Sequence, residues 1–299
     1  VQHTSAQACT LDTCSVDAIG VFDSGGDISY TFYDKAGEWW ALQGGTTNKI
    51  ATILGRDAYP DIDYISNFAI AVWGNLIQAG TITCNNQQRP LYKSDIFFST
   101  FNGTTWLPYG IIATSPGPDE IYSNPSVAID THGKGIAIWM HIKLLRKPDN
   151  CFDSGKFRIL SSFFDGSTWT SPKSLTAFKD LPFAYDSPDF AKPQFTDITL
   201  TPSFVGSDKL TRHKAIAAWY DYYGEVSKMC GNPPALKKKY QYWPTYSVWD
   251  GNTFGPEQQI PGIPTLPRVS THAGSKLGIA SSKFDKAGIV FPINFYEDI

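Results

Sequence analysis

Residues 157–175 read FRILSSFFDGSTWTSPKSL, and this stretch has the pattern of a β-hairpin. An alternating segment ends at Phe164, Asp165 and Gly166 form a turn, and Trp169 begins a second segment. Asp-Gly is typical of tight hairpin turns because both residues tolerate the positive φ angles that such turns require. The stretch therefore predicts two antiparallel strands joined at Asp165.

The hairpin motif recurs three more times along the chain. Its copies are DIFFSTFNGTTWLPYGII at 95–112, TYSVWDGNTFGPEQQI at 245–260 and, in looser form, DISYTFYDKAGEWWAL at 27–42. A second motif, two short apolar segments around a turn, recurs at 60–77, 125–142, 193–223 and 277–295. A fixed order of two recurring motifs indicates a repeat protein.

Together the two motifs define a repeat of four strands, designated A to D, and they predict an all-β fold. The copy at 277–295 lacks its hairpin, and the hairpin at 27–42 lacks its preceding motif, so each can complete the other. A circular array of four-stranded antiparallel sheets closed in this way is a β-propeller. We predict a four-bladed β-propeller of four-stranded antiparallel blades, closed by pairing of the N- and C-terminal strands. No further strand set is recognised in residues 1–26, which are expected to cross one face of the ring.

The prediction places the whole chain, 1–299, in a single propeller domain. The expected blades are about 60–112, 125–175 and 193–260, with a split blade of 277–299 plus 1–42. In a propeller, the B-to-C loops and the connections between blades lie on the same face. Long loops without a strand pattern are usually functional or tied down, so we expect function on this face. The three internal B-to-C loops are about 74–94, 140–156 and 220–243.

The composition excludes several functional classes. A net charge of −3 and a pI near 5.9 give no general attraction to nucleic acid. No apolar run reaches the roughly 18 residues of a membrane span. Motifs such as GxSxG, HExxH, GxGxxG and GxxxxGK[ST] are missing, and we expect no cofactor. Because residue 1 is Val and not Met, we expect that a leader was removed or that the chain was trimmed.

The five cysteines fall in one kind of loop. Cys84, Cys151 and Cys230 each follow the repeated tryptophan of strand B by eleven or twelve residues, and Cys9 and Cys14 belong to the equivalent loop of the split blade. We expect disulfides that brace these loops in an oxidising compartment, which makes the protein secreted, periplasmic or exposed at the cell surface. One cysteine is left over, either free or paired to another chain. A thiolate metal site is the alternative, but the CxxC spacing is missing and no metal is expected.

Three sets of residues are candidates for ligand binding on the loop face. Four polar residues two positions past the strand-B landmark are expected to converge near the channel mouth, namely Asn75, His141, Asp221 and Asn294. The loops are basic through residues that include Arg89, Lys143 and Arg146, and Tyr222 and Tyr223 suit stacking on sugar rings. The alternatives are polar strand ends, a solvated charged surface and aromatic rings that pack the loop onto the ring.

The hairpin motif resembles the Asp-box repeats of sialidases and related propeller lectins, in which Ser-x-Asp-x-Gly-x-Thr-Trp forms the C-to-D turn. The segment 162–169, SFFDGSTW, is similar but has Asp-Gly where that family has Asp-x-Gly. The segment 157–160, FRIL, is similar to the Phe-Arg-Ile-Pro motif of sialidases, whose Arg binds the substrate carboxylate. The resemblance implies this role for Arg158. Leu160 replaces the Pro, the motif lies mid-chain, and sialidases usually have six blades.

The favoured hypothesis is an extracytoplasmic binding or adhesion module, lectin-like, for carbohydrate or an anionic surface ligand. The alternative is a sialidase-type glycoside hydrolase, whose two carboxylates would come from different blades and leave no local spacing. The third hypothesis is a structural subunit that self-associates, or binds a partner chain, through the loop face. Neither a nucleic-acid partner nor a membrane span is expected.

Overall fold

The computed structural model describes residues 16–24, 27–34, 39–40, 49–51, 55–65, 68–84, 86–146, 151–182, 197–205, 211–230, 235–260, 278–281 and 287–290. These residues form strands and turns but no helix, so the described part of the chain is all-β, as predicted. No helix that could cross a membrane occurs within these ranges.

Three successive four-stranded antiparallel meanders, here called units 1 to 3, follow the predicted order of strands A to D. A parallel pairing of Ser94 with Ile121 joins units 1 and 2 into one nine-stranded sheet. Unit 1 contains β5 (Arg56–Ile65), β6 (Phe68–Cys84), β7 (Gln87–Phe101) and β8 (Gly110–Ala113). Unit 2 contains β9 (Glu120–Ile129), β10 (Gly135–Arg146), β11 (Phe152–Phe164) and β12 (Lys173–Ser174), and β13 (Lys179–Pro182) also pairs with β11. Unit 3 contains β14 (Asp197–Val205), β15 (Thr211–Cys230), β16 (Ala235–Trp249) and β17 (Gln258–Gln259).

Two smaller sheets come from the ends of the chain. The N-terminal sheet contains β1 (Val16–Ser24), β2 (Asp27–Asp34), β3 (Trp39–Trp40) and β4 (Lys49–Ala51). The C-terminal sheet is the hairpin of β18 (Gly278–Ser281) and β19 (Ala287–Val290). Strand neighbours run in the order β1, β5, β9, β14, β18, so the two terminal sheets flank units 1 and 3.

The N-terminal sheet corrects two expectations. Val16–Ser24, within the segment expected to contain no strand, forms β1, whose Val and Ile residues suit a strand. β1 pairs with β2 along its length, while β3 and β4 pair with the other side of β2. The edge of β2 that residues 277–295 were expected to occupy is therefore taken by β1. In the described residues β18 and β19 pair with each other, and the predicted closure of the ring is not seen.

The turns between strands C and D share one hydrogen-bond pattern in all three units. In unit 2 the Asp165 carboxylate accepts hydrogen bonds from the backbone N–H groups of Ser167 and Thr168, both at 2.8 Å. The Asp165 N–H donates to the Thr168 carbonyl at 3.1 Å. Asn102 and Asp250 make the equivalent bonds in units 1 and 3. The predicted hairpins are thus present, each closed by an Asp or Asn side chain.

The way in which Asp and Asn act in these turns differs from the expectation. Only the glycine that follows has a positive φ, which is 93° at Gly103, 108° at Gly166 and 104° at Gly251. The Asp or Asn instead replaces part of a backbone turn with its side chain. A serine three positions earlier donates its hydroxyl to the opposite strand in each unit, through the pairs Ser99–Leu107, Ser162–Thr170 and Ser247–Gly255 at 2.6–2.7 Å. The motif Ser-x-x-Asp/Asn-Gly-x-Thr therefore specifies the turn.

The repeated tryptophans of strand B are fully buried between units. Trp139 of unit 2 packs in a cluster with Val72 of unit 1, and Trp219 of unit 3 packs in a cluster with Ile138 of unit 2. Trp73 packs in the same manner with Ile50 of the N-terminal sheet. Large aromatic side chains contribute most of the apolar area in such cores, so these contacts hold successive sheets together.

Two aspartates join units 1 and 2 where their first strands run side by side without backbone pairing. Asp61 accepts a hydrogen bond from the Val127 N–H at 2.9 Å, and Asp63 accepts one from the Ile129 N–H at 2.7 Å. Burial raises the pKa of Asp63, although the N–H groups of Ile129 and Tyr64 oppose this shift. Carboxylates thus satisfy backbone donors that no neighbouring strand reaches.

The three long B-to-C segments are paired strands and not loops, which corrects the sequence prediction. β6 and β7 stay paired out to Cys84 and Gln87, β10 and β11 to Arg146 and Phe152, and β15 and β16 to Cys230 and Ala235. We call these two-stranded extensions arm 1 (75–95), arm 2 (141–158) and arm 3 (221–243). Apolar residues of the first two arms pack in one core cluster, namely Ile82, Leu91, Leu144 and Phe152. This burial explains why arms 1 and 2 form strands although they contain many polar residues.

A disulfide joins Cys84 at the tip of arm 1 to Cys151 at the tip of arm 2, across 67 residues of sequence. Both cysteines are buried. Cys230 is the last residue of β15, and Cys9 and Cys14 lie outside the described residues. The bond connects two units at the ends of their arms.

We expect the Asp165 carboxyl to titrate near pH 2, because the N–H groups of Thr168 and then Ser167 lower its pKa to about 2. The folded pKa lies below the ordinary value of 3.8, so the stabilisation from this turn is present above pH 3.8 and is lost as pH falls towards 2. NMR of the carboxyl carbon measures the midpoint. Asp165→Asn is the matched control, since Asn102 makes the same two bonds in unit 1 without titrating. A midpoint at or above 3.8 would contradict the assignment.

Candidate functional site

Three of the predicted ligand residues occupy the same position at the base of their arms. Asn75 lies opposite Asp95, His141 opposite Arg158, and Asp221 opposite Trp243. The fourth candidate, Asn294, lies outside the described residues. The structure connects two of these positions through the consecutive residues Phe178 and Lys179, which contact His141 and Asp221 respectively.

His141 is the centre of a buried polar cluster in unit 2, with only 1% of its surface exposed. Its Nε2 lies 2.6 Å from Oε2 of Glu120, and its Nδ1 lies 3.0 Å from Nε of Arg158. The imidazole also contacts the rings of Tyr122 and Phe178, at centroid distances of 5.0 and 5.3 Å. Since Arg158 can only donate, Nδ1 must accept, and Nε2–H donates to the Glu120 carboxylate.

The protonation state of His141 follows from this arrangement. Burial lowers the pKa of His141, and the charges of Arg158 and Lys143 act in the same direction, against the bond to Glu120. A neutral imidazole with the proton on Nε2 keeps Nδ1 available as an acceptor, whereas an imidazolium has no acceptor. The neutral form of His141 therefore orients the Arg158 side chain.

Arg158 differs from Arg146, the other described arginine of arm 2. Its Nε donates to His141, its Cζ lies 4.4 Å from the Phe178 ring centroid, and its Nη1 lies 3.5 Å from the Ser174 hydroxyl. No carboxylate among the described residues is within ion-pair distance of this partly exposed side chain. Arg146, by contrast, makes a two-bond contact with Asp119 at 2.8 and 2.6 Å. Arg158 is thus a fixed guanidinium whose charge no described carboxylate balances.

The second predicted site residue, Asp221, is part of an ion cluster between units 2 and 3. Lys179 of β13 donates to both Asp221 of β15 and Glu257, which precedes β17. Burial opposes the charged form, but the bonds to Asp221 and Glu257 raise the pKa of Lys179. The Thr245 hydroxyl lies 3.4 Å from the Asp221 carboxylate. Asp221 therefore joins two units.

The remaining candidates lie along the arms. Arg89 is opposite Ile82 on arm 1, and Lys143 is half exposed on arm 2, with its Nζ 3.6 Å from Glu120. On arm 3, Tyr222 is opposite Tyr242, and Tyr223 falls in the bulge before Gly224. Across the described ranges, no three His, Cys, Asp or Glu side chains are grouped as metal ligands.

Sequence reasoning missed Glu120, Phe178, Lys179 and Glu257. Phe178 and Lys179 lie in the connection after unit 2, outside the repeated motifs. Glu120 begins β9 and lies opposite Lys143, a relation that only the strand register shows. The repeat did identify His141, and the resemblance of FRIL to a sialidase motif drew attention to Arg158.

Comparisons with known proteins leave the family open. No family model matches the chain, and no curated protein is similar to it. Among solved structures, it is similar to an α-L-arabinanase from Penicillium chrysogenum in complex with arabinobiose, with 11% identity and a TM-score of 0.41. The match covers 92% of this chain and 70% of that one. A similarity this low assigns neither a family nor a function.

We expect His141 to stay neutral, with its proton on Nε2, to a pH below the ordinary histidine value of 6.5. The folded pKa is lowered, so the stabilisation from neutral His141 is present above pH 6.5 and is lost as pH falls through the folded pKa. Imidazole ¹⁵N NMR reports both the tautomer and the midpoint. His141→Gln serves as the control, because it should lack this component of the pH dependence of unfolding. A midpoint above 6.5, or a proton on Nδ1, would refute the assignment.

Proposed function

We propose that the protein is a binding module for an acidic carbohydrate, which it holds at the base of arm 2 through Arg158. The observation that carries this proposal is the fixed guanidinium of Arg158, which lies on His141 and Phe178 without a carboxylate among the described residues. Guanidinium groups bind carboxylates through two parallel hydrogen bonds. A ligand carboxylate would supply the missing counter-charge.

The contacts of Arg158 support binding because they fix the guanidinium before a ligand arrives. The hydrogen bond from Nε to His141 and the position of Cζ above Phe178 restrict the rotation of a side chain that is otherwise flexible. Immobilising a long side chain costs about 0.5–1.5 kcal/mol on binding, and this cost is already met in the free protein. The half-exposed Lys143 nearby adds positive charge to the same face.

The surroundings of Arg158 favour a sugar acid over a small inorganic anion. The Phe178 ring is 36% exposed, which gives a flat apolar surface beside the guanidinium. The Ser174 hydroxyl lies 3.5 Å from Nη1 of Arg158. A sugar acid combines a carboxylate, hydroxyl groups and a ring with an apolar face, so it matches all three elements. The resemblance of FRIL to the sialidase motif points to the same ligand chemistry.

Arg158→Ala should weaken binding of an acidic glycan, such as an oligogalacturonate, by roughly 10- to 100-fold, since charge-assisted hydrogen bonds contribute about 1.5–3 kcal/mol. Neutral galacto-oligosaccharides should bind equally to both forms. Isothermal titration calorimetry on the full chain measures the difference. The matched control is Arg146→Ala, which removes one positive charge from the same arm, but whose guanidinium Asp119 already occupies. Equal losses for the two variants would disprove a specific role for Arg158.

We further infer that units 1 to 3 are blades of a β-propeller and that the two terminal sheets close it. β1 lies beside β5 of unit 1, and β18 lies beside β14 of unit 3. These positions support the inference, because the two terminal sheets lie at the two ends of the row of units, where a ring would have to close. Secretion and a binding role at the cell surface are part of the same proposal, and the disulfide between arms 1 and 2 is compatible with it.

Deletion of residues 278–299 should remove the sheet that lies beside β14 and abolish a single cooperative unfolding transition. Cooperativity should be lost because every sheet of a closed ring is covered by its neighbours, whereas an open ring leaves the apolar side of one sheet uncovered. Differential scanning calorimetry compares the shortened and full chains. A shortened chain that melts as sharply as the full chain would exclude closure by the C-terminal strands.

A further inference from the structure

One cross-strand pair differs between units 1 and 2 at equivalent positions. Phe98 lies four residues before the turn residue Asn102 and pairs with Gly110. The equivalent residue in unit 2, Ser161, lies four residues before Asp165 and pairs with Lys173. Unit 1 thus pairs a phenylalanine with a glycine, whereas unit 2 pairs a serine with a lysine.

The Phe98–Gly110 pair fills the interface between units 1 and 2 next to the C-to-D turns, and we call each such interface a seam. The Phe98 ring contacts Phe164 and Trp169 of unit 2, at centroid distances of 6.2 and 5.6 Å. Gly110 makes room for this ring, because a Cβ at Gly110 would lie 2.6 Å from it.

The pair in unit 2 leaves the corresponding seam between units 2 and 3 open. Trp249 and Phe254 of unit 3 occupy the positions of Phe164 and Trp169, but Ser161 is too short to reach them. The result is a pocket of about 240 Å³ whose lining includes Ser161, Phe163, Lys173, Trp249, Asn252 and Phe254. The residues at two equivalent positions therefore differ between the units: Phe98 and Gly110 fill the first seam, whereas Ser161 and Lys173 leave a pocket in the second.

The pocket combines an aromatic wall with free polar groups. Phe163 and Trp249 are stacked, with centroids 6.3 Å apart, and Phe254 packs edge-on against Trp249 at 5.2 Å. Within the described part of the chain, the side-chain polar groups of Ser161, Lys173 and Asn252 have no protein partner. Pockets that bind small molecules typically have this composition, a mostly apolar lining with a few polar groups that fix orientation.

We propose that this pocket binds a single saccharide ring that carries an acidic group. The apolar face of the ring would lie on the aromatic wall, its hydroxyls would bond Ser161 and Asn252, and its carboxylate would lie near Lys173. The volume is below the roughly 300–1,000 Å³ of pockets for larger ligands, which limits the occupant to one ring. The pocket adjoins the turn end of β11, whereas Arg158 lies at the arm end, so this is a second site beyond the proposed function.

The test titrates methyl β-D-glucuronide and the neutral methyl β-D-glucoside into the full chain and follows the Trp249 indole N–H by NMR, assigned with Trp249→Phe. Both sugars should shift this signal saturably. The double variant Ser161→Phe/Lys173→Gly, which copies the sealed pair of unit 1, should lose the shift. Lys173→Gln should weaken glucuronide binding by about 2- to 5-fold, as for an exposed ion pair, and leave glucoside binding unchanged.

Further measurements separate this site from the one at Arg158 and from damage to the fold. Arg158→Ala should leave the Trp249 shift unchanged, so failure of the acidic-glycan site does not affect this result. If the double variant does not fold, the comparison of glucuronide with glucoside binding in Lys173→Gln, a substitution of an exposed residue, tests the proposal alone. The proposal is overturned if neither sugar shifts Trp249, if a folded double variant retains the shift, or if Lys173→Gln affects both sugars equally.

Discussion

The burial of one tryptophan per unit against the preceding sheet is the contact on which the rest of the structure depends. Trp73, Trp139 and Trp219 have no exposed surface, and each belongs to a cluster that extends into the sheet before it. A four-stranded sheet with apolar residues on both faces cannot be stable alone, so every unit requires a neighbour. The Asp61 and Asp63 bonds and the Lys179 ion cluster then fix the relative position of sheets that are already packed.

Both proposed binding sites lie where the repeat is broken. His141 occupies a position that holds Asn75 in unit 1 and Asp221 in unit 3, and only the histidine accepts a bond from an arginine across the strand pair. The seam pocket likewise exists because Ser161 replaces a phenylalanine. Tandem copies of one sheet supply equivalent positions in which a substitution changes the local chemistry without disturbing the shared core.

The sequence predicted the strands and turns well because their signals are local. The Ser-x-x-Asp/Asn-Gly-x-Thr pattern fixes each C-to-D turn through contacts within a few residues, and the tryptophan period fixes the order of the strands. The arms were mistaken for loops because their strands are stabilised by Ile82 and Phe152, which meet only after two units pack. β1 was missed because it belongs to no complete copy of the repeat. The site was found only in part, since two residues that contact His141 lie outside the repeated motifs, namely Glu120 at the start of β9 and Phe178 in the connection after unit 2.

The disulfide between the arm tips also determines how the chain responds to mechanical tension. A force that pulls on the two ends passes through Cys84 and Cys151 directly, so the 67-residue interval between them cannot extend while the bond is intact. At about 3.3 Å per residue, the disulfide therefore reduces the length to which the chain can be stretched by roughly 220 Å. The interval contains β7, β8, β9 and β10, and it includes His141. Under such tension β7 to β10 would therefore stay shielded until the bond is reduced, whereas β11, which carries Arg158, lies outside the shielded interval.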